Sequence, residues 1–126
     1  MTHRTIARTL TLLLVVAAVA STPGSAADVV DIRLHGTYFS EPATVQLLVA
    51  VEPNAANRVL RIEADSADLF RASEVALSGA AEKRLHIFAF KNLSAGYYTL
   101  RAEVRSSKDV RGLATREVVV TGAGLQ

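Results

Sequence analysis

The chain has no cysteine and no tryptophan, and its 126 residues hold only three prolines, four phenylalanines and three tyrosines. Without cysteine there is no disulfide, no thiolate metal site and no cysteine nucleophile. The fold must therefore be held by packing alone. Histidine is nearly as scarce: His3 lies at the extreme N-terminus, leaving His35 and His86 for the body of the chain. A zinc site wants three or four clustered ligands, so one half-buried and one loop histidine is the expected arrangement.

Catalytic motifs are missing too. Serines 66, 73, 78, 94, 106 and 107 lie outside any G-x-S-x-G elbow. No glycine-rich phosphate loop precedes a helix. Paired carboxylates need a cleft, which a domain of this length has few residues left to build. An enzyme is not expected, and neither is a cofactor.

No sign of charge dominates once the N-terminus is set apart. Of the 14 lysines and arginines, Arg4 and Arg8 fall within the first 27 residues, where there is no acid, so 12 basic residues face 12 acidic ones beyond it. A nucleic-acid binder needs a concentrated basic surface to displace phosphate counterions, and that class is excluded. Long hydrophobic runs are absent as well. The longest, Leu10 to Ala20, has 11 residues, against the roughly 20 of a membrane-spanning helix.

That run is instead the centre of a secretory signal. A cationic start (MTHRTIAR) precedes it, Pro23-Gly24 breaks it, and Ser25-Ala26-Ala27 supplies small residues for cleavage after Ala27. Ala18-Val19-Ala20 is a second candidate cleavage site. The expected organisation is a cleaved leader over 1–27 and one domain over 28–126. The product should be exported, periplasmic or extracellular, with no membrane span in its mature form.

What fills those residues is polarity alternating with period two, in short runs about ten residues apart. Seven runs are predicted as strands: VVDIRLHG, TVQLLVAV, RVLRIEAD, RASEVALSG, KRLHIFAF, the stretch NLSAGYYTLRAEV, and TREVVVTG. TYFSEPA, with Pro42, and EPNAAN, with Pro53, are the expected connections. Val30, Ile32 and Leu34 share a face, as do Val45, Leu47, Val49 and Val51, and Leu60, Ile62 and Ala64. In the fourth run Ser73, Val75 and Leu77 are expected together, closed by Gly79. Ala72 to Ala81 also admits one amphipathic helical turn, but the short run and Gly79 favour a strand.

The sixth run is the most informative. Leu93, Tyr98, Leu100, Ala102 and Val104 are apolar; Tyr97, Thr99, Arg101, Glu103 and Arg105 are polar or amphipathic, and the alternation over nine residues gives the strand one buried and one wet face. The pleat therefore separates the adjacent tyrosines. Gly96 stands where the chain must swing between sheets, and glycine permits positive φ there. Tyr98, on the buried face, must find a partner for its hydroxyl.

L-x-x-G-x-Y leading into an alternating strand (Leu93, Gly96, Tyr98) resembles the corner of immunoglobulin-like and fibronectin type III domains, in which a tyrosine hydroxyl bonds to the main chain just upstream. FAFKNLSAGYYTL is also similar to the end of the prealbumin-like, regulatory sandwiches of bacterial carboxypeptidases. The cysteine pair and core tryptophan of antibody domains are absent, as is a glycine-rich start. The resemblance implies an all-β, seven-stranded antiparallel Greek-key Ig-like sandwich, in which Leu93, Gly96 and Tyr98 are structural.

Three candidate surfaces remain. Glu63, Asp65 and Asp68 in EADSAD could offer oxygens to calcium, but without the glycine and distal bidentate glutamate of an EF-hand. Tyr97 is the aromatic placed to touch a partner. The fifth run is apolar on both faces. With Phe88, Phe90 and Leu93 assigned to the core, Leu85 and Ile87 point outward and could join Leu48 and Ala50 in an exposed apolar patch, a mark of an interaction surface. The expected role is a non-catalytic module binding a protein or cell-surface partner. A carbohydrate- or calcium-dependent module, or a structural subunit of an envelope complex, is the alternative.

Overall fold

Period-two polarity becomes strand throughout the computed structural model, which describes residues 29–122. The leader and its cleavage position, read from residues 1–27, lie outside the described residues. The elements are β1 (Val30–Arg33), β2 (Tyr38–Ser40), β3 (Ala43–Val51), β4 (Val59–Asp65), β5 (Phe70–Ala76), a single 3-10 turn (Gly79–Ala81), β6 (Leu85–Leu93), β7 (Gly96–Arg105) and β8 (Val110–Thr121). They form two sheets, one ordered β1-β3-β6 and the other β2-β8-β7-β4-β5. The chain changes sheet at every connection except β4–β5 and β7–β8.

The described residues thus hold eight strands where seven were expected, and the pairing is not wholly antiparallel. The addition is β2, inside the segment read as a loop. It pairs parallel to β8, Tyr38 opposite Val119 and Phe39 opposite Val120. The Val119 N–H donates to the Thr37 carbonyl (2.8 Å), and the Glu41 N–H donates to that of Thr121 (2.9 Å). Three residues are too few to display a period. This strand exists because β8 presents a ladder for it, and sequence alternation cannot report that. The Glu41–Pro42 bond that follows is cis.

Between the sheets lies an apolar core drawn from alternate positions. Val45, Leu47, Val49 and Val51 of β3 face Leu60, Ile62 and Ala64 of β4 and Tyr98, Leu100, Ala102 and Val104 of β7, all buried. Each fully buried aliphatic side chain contributes about 1.5–3 kcal/mol. Val118 and Val120 complete it from β8. The fourth run is a strand, paired with β4 along its whole length, and not a helix. Its expected buried face is only partly realised: Leu77 is buried and Val75 half-buried, while Ser73 is exposed. The cause is position, since β5 is the edge strand of its sheet and only part of it lies over the core. Gly79 takes the left-handed conformation (φ 67°) in the turn beyond.

Polar side chains tie the sandwich together at its margins. Arg116 of β8 donates to Asp31 of β1 (2.7 Å), and Arg71 of β5 donates to the carbonyls of Lys91 and Asn92. Each arginine therefore links one sheet to the other. Asn57, only 1 % exposed, donates from Nδ2 to the Glu52 carbonyl (2.9 Å) and accepts from Arg111 Nε (2.8 Å). This fastens the β3–β4 connection to β8.

Candidate interaction surfaces

The Leu93–Gly96–Tyr98 stretch forms the passage from β6 to β7. Leu93 and Tyr98 are buried, and Tyr98 Oη donates to the Ser94 carbonyl at 2.8 Å. The Ala95 N–H donates to Glu41 Oε2 (3.1 Å), joining the corner to the β2–β3 connection. The backbone differs from expectation at Gly96. It begins β7 without the left-handed conformation; among the non-glycine residues described, Asn92 (φ 57°) adopts it instead. Asparagine tolerates that region better than most residues, so the reversal is taken four residues earlier.

On the outer face of the three-stranded sheet, the antiparallel register places Leu48 opposite Ile87 and Ala50 opposite Leu85. Ile87 is 67 % and Leu85 43 % exposed, and Leu48 and Ala50 are half-buried. Phe90 and Leu93 face the core, and Phe88 packs against it. A shallow hollow of about 210 Å³ opens on this face beside His35, Gln46, Leu48 and Ile87. The adjoining edge is also available. The Val51 N–H bonds to the Arg84 carbonyl, so by antiparallel alternation His86, Phe88 and Phe90 direct their backbone groups to β3. The N–H and C=O groups of Leu85, Ile87 and Ala89 then point off the free edge of β6.

The two histidines face different surroundings, His35 beside the outer hollow and His86 in the interior. His86 is buried (5 % exposed), more deeply than expected, because its alternation places it inward opposite Val49. Its Nε2 has no hydrogen-bond partner among the described residues. His35 is exposed beyond β1. Among the described residues no three His, Cys, Asp or Glu side chains cluster as metal ligands. The calcium candidates are dispersed: Glu63 lies within β4, Asp65 ends it, and Asp68 sits in the β4–β5 connection.

Glu63 is engaged elsewhere. On the outer face of the five-stranded sheet it accepts from Arg61 Nε (2.8 Å) and Arg101 Nη1 (3.0 Å). Arg61 also reaches Glu74 (3.2 Å), and Arg105 pairs with Glu103 (3.0 Å). The Arg61 bond, opposed by desolvation and reinforced by Arg101, holds the Glu63 carboxyl below the ordinary glutamate range. A lowered folded-state value stabilises the fold above the unfolded value and loses that effect as pH falls through the lowered one. The stability advantage of the native protein over Glu63→Gln should therefore be constant at neutral pH and shrink below about pH 4.3. Urea unfolding from pH 7 to pH 3 measures it, and an advantage that grows in acid would contradict this sign.

The same sheet has a different character at its other end. Tyr38, Val119 and Tyr97 lie in one cross-strand row on β2, β8 and β7. Tyr38 is 76 % and Tyr97 81 % exposed. They flank a groove of about 380 Å³, bounded further by Thr37, Thr99 and Glu117. Sequence reasoning identified Tyr97 and missed Tyr38, because only the parallel pairing of β2 brings it alongside. An isolated tyrosine in a presumed loop carries no periodic signal.

No protein-family model and no curated protein matches the chain. Solved structures do resemble it. A CARDB domain from Pyrococcus furiosus, determined in complex with di-metal ions, superposes with a TM-score of 0.55 at 18% identity, over 79% of this chain and 95% of that one. Superoxide reductase (neelaredoxin) from Ignicoccus hospitalis superposes with a TM-score of 0.56 at 20% identity, over 76% and 82%. At such identities the likeness is one of fold. With the two-sheet topology it defines the class of this protein as an all-β sandwich of Ig-like type. Among the described residues no helix is long and apolar enough to cross a membrane.

Proposed function

We propose that the chain is a non-catalytic, exported Ig-like module that binds a protein or cell-surface partner through the outer face of its three-stranded sheet. One observation carries the reading: Leu85 and Ile87 stand exposed in register with Ala50 and Leu48. The four side chains make one apolar area on the sheet, next to an edge at which Leu85, Ile87 and Ala89 pair with no further strand among the described residues. Apolar area exposed in this way is stabilised by a partner that covers it, and a free edge adds main-chain hydrogen bonds with an extended segment. The non-catalytic part of the reading is supported by where the polar side chains go. Arg61 and Arg101 are paired with Glu63 and Glu74, and Asn57 secures a connection.

Leu85→Asp and Ile87→Asp should abolish capture of the partner from an envelope extract while leaving the thermal midpoint nearly unchanged, since exposed substitutions usually stay within about 0.5 kcal/mol. Undiminished capture would remove the patch from the function, and unfolding of Leu85→Asp would make Leu85 a core residue.

A further inference from the structure

The tyrosine groove lies on the opposite sheet from the proposed patch and stands independently of it. We propose that it is a second binding site, for a cationic side chain (arginine or lysine) presented by a partner protein.

Its walls are Tyr38 and Tyr97, each about four-fifths exposed and each one strand removed from Val119, which forms the floor. Two strand spacings put their backbones about 9–10 Å apart, which leaves room for one flat or slender group between the rings. Tyrosine faces carry negative potential and attract cations. At the end of the groove stands Glu117, on β8 opposite Thr99 of β7. It is the only charged side chain lining the groove among the described residues.

Charge decides what fits. Farther along the same face, the arginines Arg61, Arg101 and Arg105 bond to Glu63, Glu74 and Glu103. Each has a carboxylate at hand, and none lines the groove. Among the described residues, no hydrogen bond or ion pair engages Glu117. A guanidinium or ammonium group lying between the two rings would give Glu117 the counter-charge that Arg61, Arg101 and Arg105 supply to Glu63, Glu74 and Glu103. The threonine hydroxyls of Thr37 and Thr99 can accept its remaining N–H groups.

The test uses the peptide Gly-Arg-Gly-Arg-Gly as probe, with Gly-Gln-Gly-Gln-Gly and a neutral oligosaccharide, cellohexaose, as comparisons, and reads backbone amide shifts of the protein by NMR. The arginine peptide should shift the amides around Tyr38, Tyr97, Glu117 and Val119, with weaker binding at higher salt. Glu117→Gln, Tyr38→Ala and Tyr97→Ala should each weaken it at least about fivefold. Glu82→Gln, at a half-buried acid in the β5–β6 connection outside the groove lining, should leave it unchanged, and all four variants should keep the native spectrum. The proposal is overturned if Glu117→Gln binds the peptide as well as the native protein does, or if Glu82→Gln weakens binding equally, which would mean diffuse charge attraction. Shifts at the groove from cellohexaose but not from the arginine peptide would make it a sugar site instead and equally overturn the proposal.

Discussion

Tyr98→Ala should destabilise the domain by about 3–5 kcal/mol, as deletions of large buried aromatic side chains do. The ring is 1 % exposed, among the largest side chains buried to that degree. It sits beside Leu93 and Leu100 of the core cluster, where a void cannot collapse without moving both sheets. Tyr98→Phe keeps the ring and removes only the hydroxyl that donates to the Ser94 carbonyl at 2.8 Å. It should cost about 1–3 kcal/mol, the effect of leaving that carbonyl without its partner. Tyr97→Ala, at the adjacent and 81 % exposed position, should stay within about 0.5 kcal/mol. Urea denaturation of the three variants measures this series. Equal losses at 97 and 98 would contradict the opposite facing of the two side chains.

Gly112→Ala should cost about 1–3 kcal/mol by overpacking. A Cβ at that position would lie 2.7 Å from Val29 Cβ and 2.8 Å from Val29 Cγ1, with Val30 Cγ1 at 3.2 Å. The nearest of these atoms is attached directly to the main chain, so no rotamer change relieves the contact and the start of β1 must move away from β8. Relief is expected from Val29→Gly: the double variant should lose less stability than the sum of the single ones, a coupling that identifies the contact. Gly36→Ala provides the contrast, because a Cβ there meets nothing within 4 Å. A Gly112→Ala loss no larger than that of Gly36→Ala would mean that β1 yields without penalty.

Gly112 also shows where sequence reading stops. It lies ahead of the last predicted run, TREVVVTG, and nothing around it in the sequence signals that another strand crosses it closely. Gly96 shows the converse: it attracts attention beside two tyrosines, yet it needs no left-handed backbone, and Asn92 supplies the reversal. At Gly112 the deciding quantity is the distance to a segment far away in the chain. The buried faces of β3, β4 and β7 were legible because a strand half in water must alternate, and Val45, Leu47, Val49, Leu60, Ile62, Tyr98 and Leu100 do so without interruption. The outward direction of Leu85 and Ile87 followed once Phe88 and Phe90 were placed inside, since period two sends odd and even positions of β6 to opposite faces; Leu93 also faces inward because the register shifts between Phe90 and Leu93.

The sequence by itself determined that this chain folds as strands around an apolar interior, without disulfides, and which of its two adjacent tyrosines is buried. Those are properties of neighbours along the chain, fixed by the pleat and by the cost of exposing apolar surface. Only the tertiary structure decided that β2 pairs parallel to β8, that Tyr38 stands across Val119 from Tyr97, that Arg61 and Arg101 hold Glu63 within a paired lattice, and that β1 crosses Gly112. These depend on which strands become neighbours in space, and a local pattern of polarity contains no term for that choice.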